Sequence, residues 1–152
     1  RAELNLGKVV EMINYLASKV ANLHKVKLMK MLWYSDNLHY KREGRSISGL
    51  AYSALPMGAV PEGYEQIVLL DGVKYDTVWY GENVGYRFKT SPGFEIKEMT
   101  QPEVETLDDV IQQLGNLSTD EIVHKMHEEE AYKCTDSNCF IPFSFAERLT
   151  ID

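Results

Sequence analysis

The stretch that decides the fold runs Lys25-Val26-Lys27-Leu28-Met29-Lys30-Met31-Leu32-Trp33-Tyr34-Ser35-Asp36-Asn37-Leu38-His39-Tyr40-Lys41. It contains no Gly or Pro and reads as one helix, closed by Gly44. Its apolar residues Val26, Leu28, Met29, Met31, Leu32, Trp33, Tyr34 and Leu38 cover most of the circumference. A helix apolar nearly all round belongs at the centre of a fold, with other elements packed about it.

Outward from this helix, Leu6, Val9, Val10, Ile13, Leu16, Ala17 and Val20 keep a helical period, predicting an amphipathic helix over about 5–22 with Asn5 as N-cap. Residues 46–61 mix Gly49, Pro56, Gly58 and Pro61 with short apolar pieces and read as an irregular connection. Pro61 suits the first turn of a short helix reaching Leu70. Residues 73–80, 84–90 and 94–99 alternate and predict a three-stranded antiparallel meander. Two capping boxes, Thr100…Glu103 and Ser118…Glu121, announce two further helices. Their stripes are Val104, Leu107, Val110, Ile111 and Leu114, then Ile122, Val123 and Met126. Pro142 fits the apolar tail 140–145 to an edge strand. The expected class is α+β: a helical core around a buried central helix, with a small antiparallel sheet.

The 152 residues suit a single domain, and 44% hydrophobic with 26% charged residues is the profile of a globular chain rather than a disordered or fibrous one. The chain opens on Arg1 rather than Met, as an excised domain or processed product does. No apolar run approaches the roughly 20 residues of a membrane span, and no leader peptide is evident, so a cytoplasmic protein is expected. The net charge of -7 argues against direct nucleic-acid binding by this domain. The charge is polarised. Residues 1–50 hold nine Lys/Arg against four Asp/Glu, and residues 51–152 seven against nineteen.

Catalytic signals are sparse. His124 and His127 lie at i and i+3 on one predicted helix face, beside Glu128, so two imidazoles could share a metal there. The pattern lacks the H-E-x-x-H order and a marked third ligand, and a core-edge histidine reads more simply. Cys134 and Cys139 are spaced C-x4-C without a second cysteine pair and read as free thiols. There is no phosphate-binding Gly-rich loop and no G-x-S-x-G elbow. No cofactor or metal is expected, and Glu128-Glu129-Glu130 reads as a solvated face.

Three stretches taken together carry a resemblance. The first is Lys27-Leu28-Met29-Lys30-Met31-Leu32-Trp33-Tyr34-Ser35-Asp36, continuing to His39 and to Gly44-Arg45-Ser46-Ile47-Ser48-Gly49. The second is Tyr52-Ser53-Ala54-Leu55-Pro56-Met57-Gly58-Ala59-Val60-Pro61, and the third is a late helix from Ser118 to Tyr132 with His127-Glu128-Glu129-Glu130-Ala131-Tyr132. In this order and spacing they resemble the Panacea domain, the SocA-like antitoxin or phage-associated GepA-like family, over nearly the whole chain. The family usually reads Gly-Pro-Val where this chain has Gly58-Ala59-Val60. The resemblance implies a bacterial or phage-borne antitoxin of a toxin-antitoxin system, without enzymatic activity, whose partner is a cognate protein toxin. Some relatives carry an upstream helix-turn-helix or zinc module, and one delivers its toxin to an AAA+ protease. Delivery to such a protease, homo-oligomerisation and a metal-dependent hydrolase on His124 and His127 stay open as alternatives.

The expected partner surface joins the 52–61 connection to an exposed strip of the central helix. It comprises Lys30, Tyr34, Tyr52, Met57 and Val60. An apolar centre with a basic rim is the usual anatomy of a protein interface.

Overall fold

The computed structural model describes residues 3–152 and has an α+β architecture. Helix α1 spans Leu6–Lys19 and α2 Lys25–Glu43. A hairpin follows, β1 Tyr52–Leu55 and β2 Gly58–Pro61, then a single turn α3 Tyr64–Ile67. A second hairpin is β3 Lys74–Tyr80 with β4 Asn83–Lys89. Helices α4 Gln101–Leu114, α5 Thr119–His127 and α6 Glu130–Lys133 come next, then a 3-10 turn Phe143–Arg148. Each hairpin is an antiparallel pair.

Helix α2 is the centre. Every residue from Lys27 to His39 is buried, and α1, α4, α5, β2, β4 and the 3-10 turn all pack on it. Gly44 closes it in the left-handed conformation, φ 77°. Polar residues on such a helix must find partners inside the protein; Ser35 and Asn37 bond back to Met31 O and Trp33 O within α2, and five others tie down neighbouring elements. Lys27 Nζ donates to Gly115 O (2.7 Å) at the end of α4, and Lys30 Nζ to Ala59 O (2.8 Å) on β2. Tyr34 Oη donates to Glu129 (2.8 Å), and Asp36 gathers the 46–52 segment. His39 Nδ1 meets Thr106 Oγ1 at 2.9 Å on α4.

The caps follow the sequence. Asn5 Oδ1 accepts from Lys8 N at 3.0 Å, and both capping boxes form. Several expectations need correction. Residues 52–61 are a hairpin, because Pro56-Met57 makes a two-residue turn and Pro61 sits at a strand end, where it breaks no central ladder. The helix expected from Pro61 to Leu70 is reduced to α3. The meander has two strands, not three: the N–H groups of Lys97, Glu98 and Met99 all donate to the Glu11 carboxylate (2.8–3.0 Å) instead of to a neighbouring strand. The late helix breaks between α5 and α6, where Glu129 turns inward, 1% exposed, and accepts from Tyr34 Oη and from Thr150 N and Oγ1. The expected solvated Glu128–Glu130 face is thus interrupted by a buried carboxylate. The edge strand expected over 140–145 is reduced to a single bridge, Ser53 to Phe140, on the free edge of β1, before the tail turns into the 3-10 helix from Phe143.

Candidate functional site

The β1–β2 hairpin lies against the first half of α2 and is anchored at four places. At its start, Tyr52 Oη donates to Asp36 Oδ2 at 2.7 Å. At its middle, Lys30 Nζ donates to Ala59 O. At its turn, Tyr132 Oη donates to Leu55 O (2.5 Å) and His127 Nε2 meets Pro56 O at 2.9 Å. Along its outer edge, residues 138–141 exchange backbone bonds with Tyr52 and Ala54. The two anchors at the turn, His127 and Tyr132, lie 71 and 77 residues along the chain from the carbonyls they hold.

Between hairpin and helix runs a groove of about 360 Å³. Val26, Met29, Leu55, Pro56, Met57 and Val60 supply its apolar walls, with Lys25, Lys30 and Tyr64 completing them. Among the described residues no carboxylate lines it. The Lys25 ammonium sits 4.5 Å over the Tyr64 ring, a cation–π contact that fixes a positive charge at one rim. Met57 is 50% exposed at the tip of the turn and Val60 is half-buried.

The expected exposed strip on α2 is overturned. Lys30 is 1% exposed, Tyr34 0% and Tyr52 1%. Helical spacing places Lys30 and Tyr34 on one strip, but the hairpin and Glu129 cover it. Of the five residues expected at the partner surface, the structure leaves Met57 and Val60 accessible and makes Lys30, Tyr34 and Tyr52 the internal ties beneath them. Sequence reasoning missed Asp36 and Glu129. A carboxylate inside an apolar helix was the available signal for Asp36; Glu129 stood in an acidic run that hid it.

Burial pushes the Lys30 amine down to about 8. The unfolded chain holds that proton up to the ordinary lysine value of 10.5, so unfolding takes up a proton between the two values and stability rises with pH across that window. Lys27, also lowered by burial, adds in the same direction. Lys30→Met is expected to flatten most of this rise. Urea titrations between about pH 7.5 and 9.5, below the ionisation of ordinary tyrosines, read it directly; an unchanged slope refutes the assignment to Lys30.

His127 is engaged with Pro56 and stacks on Tyr132 (4.9 Å between rings), and His124 is exposed. Among the described residues no three His, Cys, Asp or Glu side chains gather to hold a metal. Cys134 and Cys139 are exposed free thiols. The Cys134 thiol donates to Glu130, which raises it above its ordinary value, the reverse of an activated nucleophile.

The chain is thus a helix-centred α+β domain with an apolar groove over its central helix. The family model for the SocA-like antitoxin, Panacea domain, matches residues 28–133, and the chain belongs to that family. The match takes in α2 from Leu28 onward, both hairpins, α3, α4, α5 and α6, and so the whole groove except Lys25 and Val26. No curated protein and no solved structure matches the chain. Among the described residues, no helix is long and apolar enough to cross a membrane.

Proposed function

We propose that this chain is a cytoplasmic antitoxin that neutralises a cognate protein toxin by direct binding, without catalysis, through the groove between α2 and the β1–β2 hairpin. Family membership supports the antitoxin role. The observation that carries the site is the combination of exposed Met57 with apolar walls and the Lys25 rim, in a chain whose net charge is -7. Methionine adapts its shape to varied partners. A groove with no carboxylate among the described residues, in an acidic protein, favours an apolar segment flanked by Asp or Glu, because attraction at the rim speeds encounter while the walls hold the complex.

The test is co-expression with candidate toxins encoded beside the gene, together with direct binding of purified proteins. Met57→Ala and Val60→Ala are expected to weaken binding by about 1–2 kcal/mol each, the scale of ordinary interface hot spots. Lys25→Glu is expected to slow association, more so at low salt. Unchanged affinity in all three moves the interface away from the groove. Occlusion leaves the toxin's cellular level unchanged on neutralisation; a fall that depends on an AAA+ protease assigns delivery instead.

A further inference from the structure

The β3–β4 hairpin is a two-faced ribbon with one open edge. Register pairs Tyr75 with Phe88, Thr77 with Tyr86 and Trp79 with Val84 on one face, and Lys74 with Lys89 and Asp76 with Arg87 on the other. The charged face satisfies itself: Asp76 pairs with Lys89 at 2.8 Å and lies 3.9 Å from Arg87. The Tyr80 ring lies over Gly85, where a Cβ would stand 3.1 Å from it, and its hydroxyl meets His24 Nε2 at 2.8 Å. The apolar face is covered only at its base, where Phe88 is buried. Farther out, Trp79 is 69% exposed and Val84 47%.

The outer edge of β4 is occupied, since Phe88 N donates to Leu23 O and His24 bridges Arg87. The outer edge of β3 makes no backbone hydrogen bond among the described residues. The two-residue loop Gly81-Glu82, with Gly81 at φ 63°, makes Tyr80 and Asn83 the closing hydrogen-bonded pair. Alternation then turns the N–H and C=O of Tyr75, Thr77 and Trp79 outward. A seven-residue open edge without Pro or a bulge is a template for another strand.

We propose that this edge pairs with β3 of a second copy of the chain, antiparallel and two-fold, centred on Thr77. The sequence is self-complementary in that register. Thr77 faces the partner's Thr77, and Tyr75 faces the partner's Trp79 on the apolar face, both favourable cross-strand pairs. Lys74 faces the partner's Tyr80, and Asp76 faces the partner's Val78, so no like charges oppose. Centring on Asp76 instead would set two carboxylates against each other. Because the outward groups are those of Tyr75, Thr77 and Trp79, the Thr77 register uses all of them on both chains. The product is a four-stranded sheet, β4-β3-β3-β4, with one continuous apolar face. A two-fold strand pair of this kind closes on itself and does not propagate.

Sedimentation equilibrium on the whole chain from about 1 to 200 μM is expected to show a monomer–dimer equilibrium. Trp79 emission should shift to the blue as the dimer forms, whereas Trp33 is already buried, 1% exposed. Thr77→Pro deletes an outward N–H and leaves the bonds to β4, so it should raise the dimer Kd at least about tenfold. Trp79→Lys, at an exposed position, should do the same, with circular dichroism and thermal midpoint confirming that the variants fold. A monomer across the whole range overturns the proposal, as does a dimer indifferent to both substitutions. Toxin binding lost in Thr77→Pro, with a monomeric wild type, overturns it in favour of a toxin strand on this edge.

Discussion

Replacing Asp36 by alanine is expected to destabilise the protein by about 3–5 kcal/mol, because it strands several buried donors at once. Four donors converge on this one carboxylate. Oδ1 accepts from Ile47 N and Ser48 N, both at 2.9 Å, and Oδ2 from Ser48 Oγ at 2.5 Å and Tyr52 Oη at 2.7 Å. Burial pushes the carboxyl above its ordinary value and the donors from Ser48, Tyr52 and Ile47 pull it back, the burial effect being larger. Alanine leaves all four donors buried and unmet, each costing about 1–3 kcal/mol before relaxation. Asp36→Asn separates charge from geometry. Its carbonyl still serves the two N–H groups, and its amide can donate to the two hydroxyls once they rotate, so about 1–2 kcal/mol is expected. Chemical denaturation of both variants decides the matter: equal losses would show that the hydrogen-bond count does not set the stability of the 46–52 segment. Because β1 begins at Tyr52, the proposed toxin-binding role of the groove predicts that the alanine variant also loses affinity beyond what its folded fraction explains.

The starts of α1, α4 and α5 and the end of α2 were legible because the signals that specify them are local. The Asn5 cap, the two capping boxes and Gly44 are each settled within a few residues; Leu107, Val110 and Leu114 of the α4 stripe are buried as read, while on α1 the stripe missed buried Met12 and included exposed Leu6. The centrality of α2 was legible too, since apolar coverage on every side admits one position in a fold. What stayed hidden depends on groups far away in sequence. Glu11 takes the N–H groups of residues 97–99, 86 to 88 positions away, and so abolishes the third strand that alternation suggested. Tyr34 finds Glu129 95 residues on. Lys30 and Tyr34 therefore read as a solvent strip, when their partners make them the ties that hold the hairpin and the α5–α6 break. The groove was half legible: Met57 and Val60 were picked from apolar content between turn residues. The Pro and Gly that marked a connection turned out to shape a hairpin turn and a strand end.

Gly58→Val is expected to cost about 3–5 kcal/mol and to open the groove, because two constraints meet at this backbone position. Its φ of 114° lies where side-chain-bearing residues are strained by about 1–3 kcal/mol. A Cβ there would stand 2.7 Å from Lys30 Cε and 2.8 Å from Met126 Cγ. Met126 is fully buried in the core, and Lys30 is held by its bond to Ala59 O, so neither can move aside without loss. Relief requires lifting β2 from α2, which breaks the Lys30 tie and displaces the wall that Val60 provides. The two constraints can be separated by a double-mutant cycle with the smaller Gly58→Ala. In a Lys30→Ala background the Cε contact is gone, so the cost of Gly58→Ala should fall by about 1–2 kcal/mol, a coupling of the size seen between touching residues. The strain of the backbone and the Met126 contact remain in both backgrounds. No coupling would mean that Lys30 yields freely, and then the buried amine does not fix the hairpin's height above the helix. A measured coupling, with toxin affinity falling in step, would make the Lys30–Ala59 contact the element that sets the width of the groove.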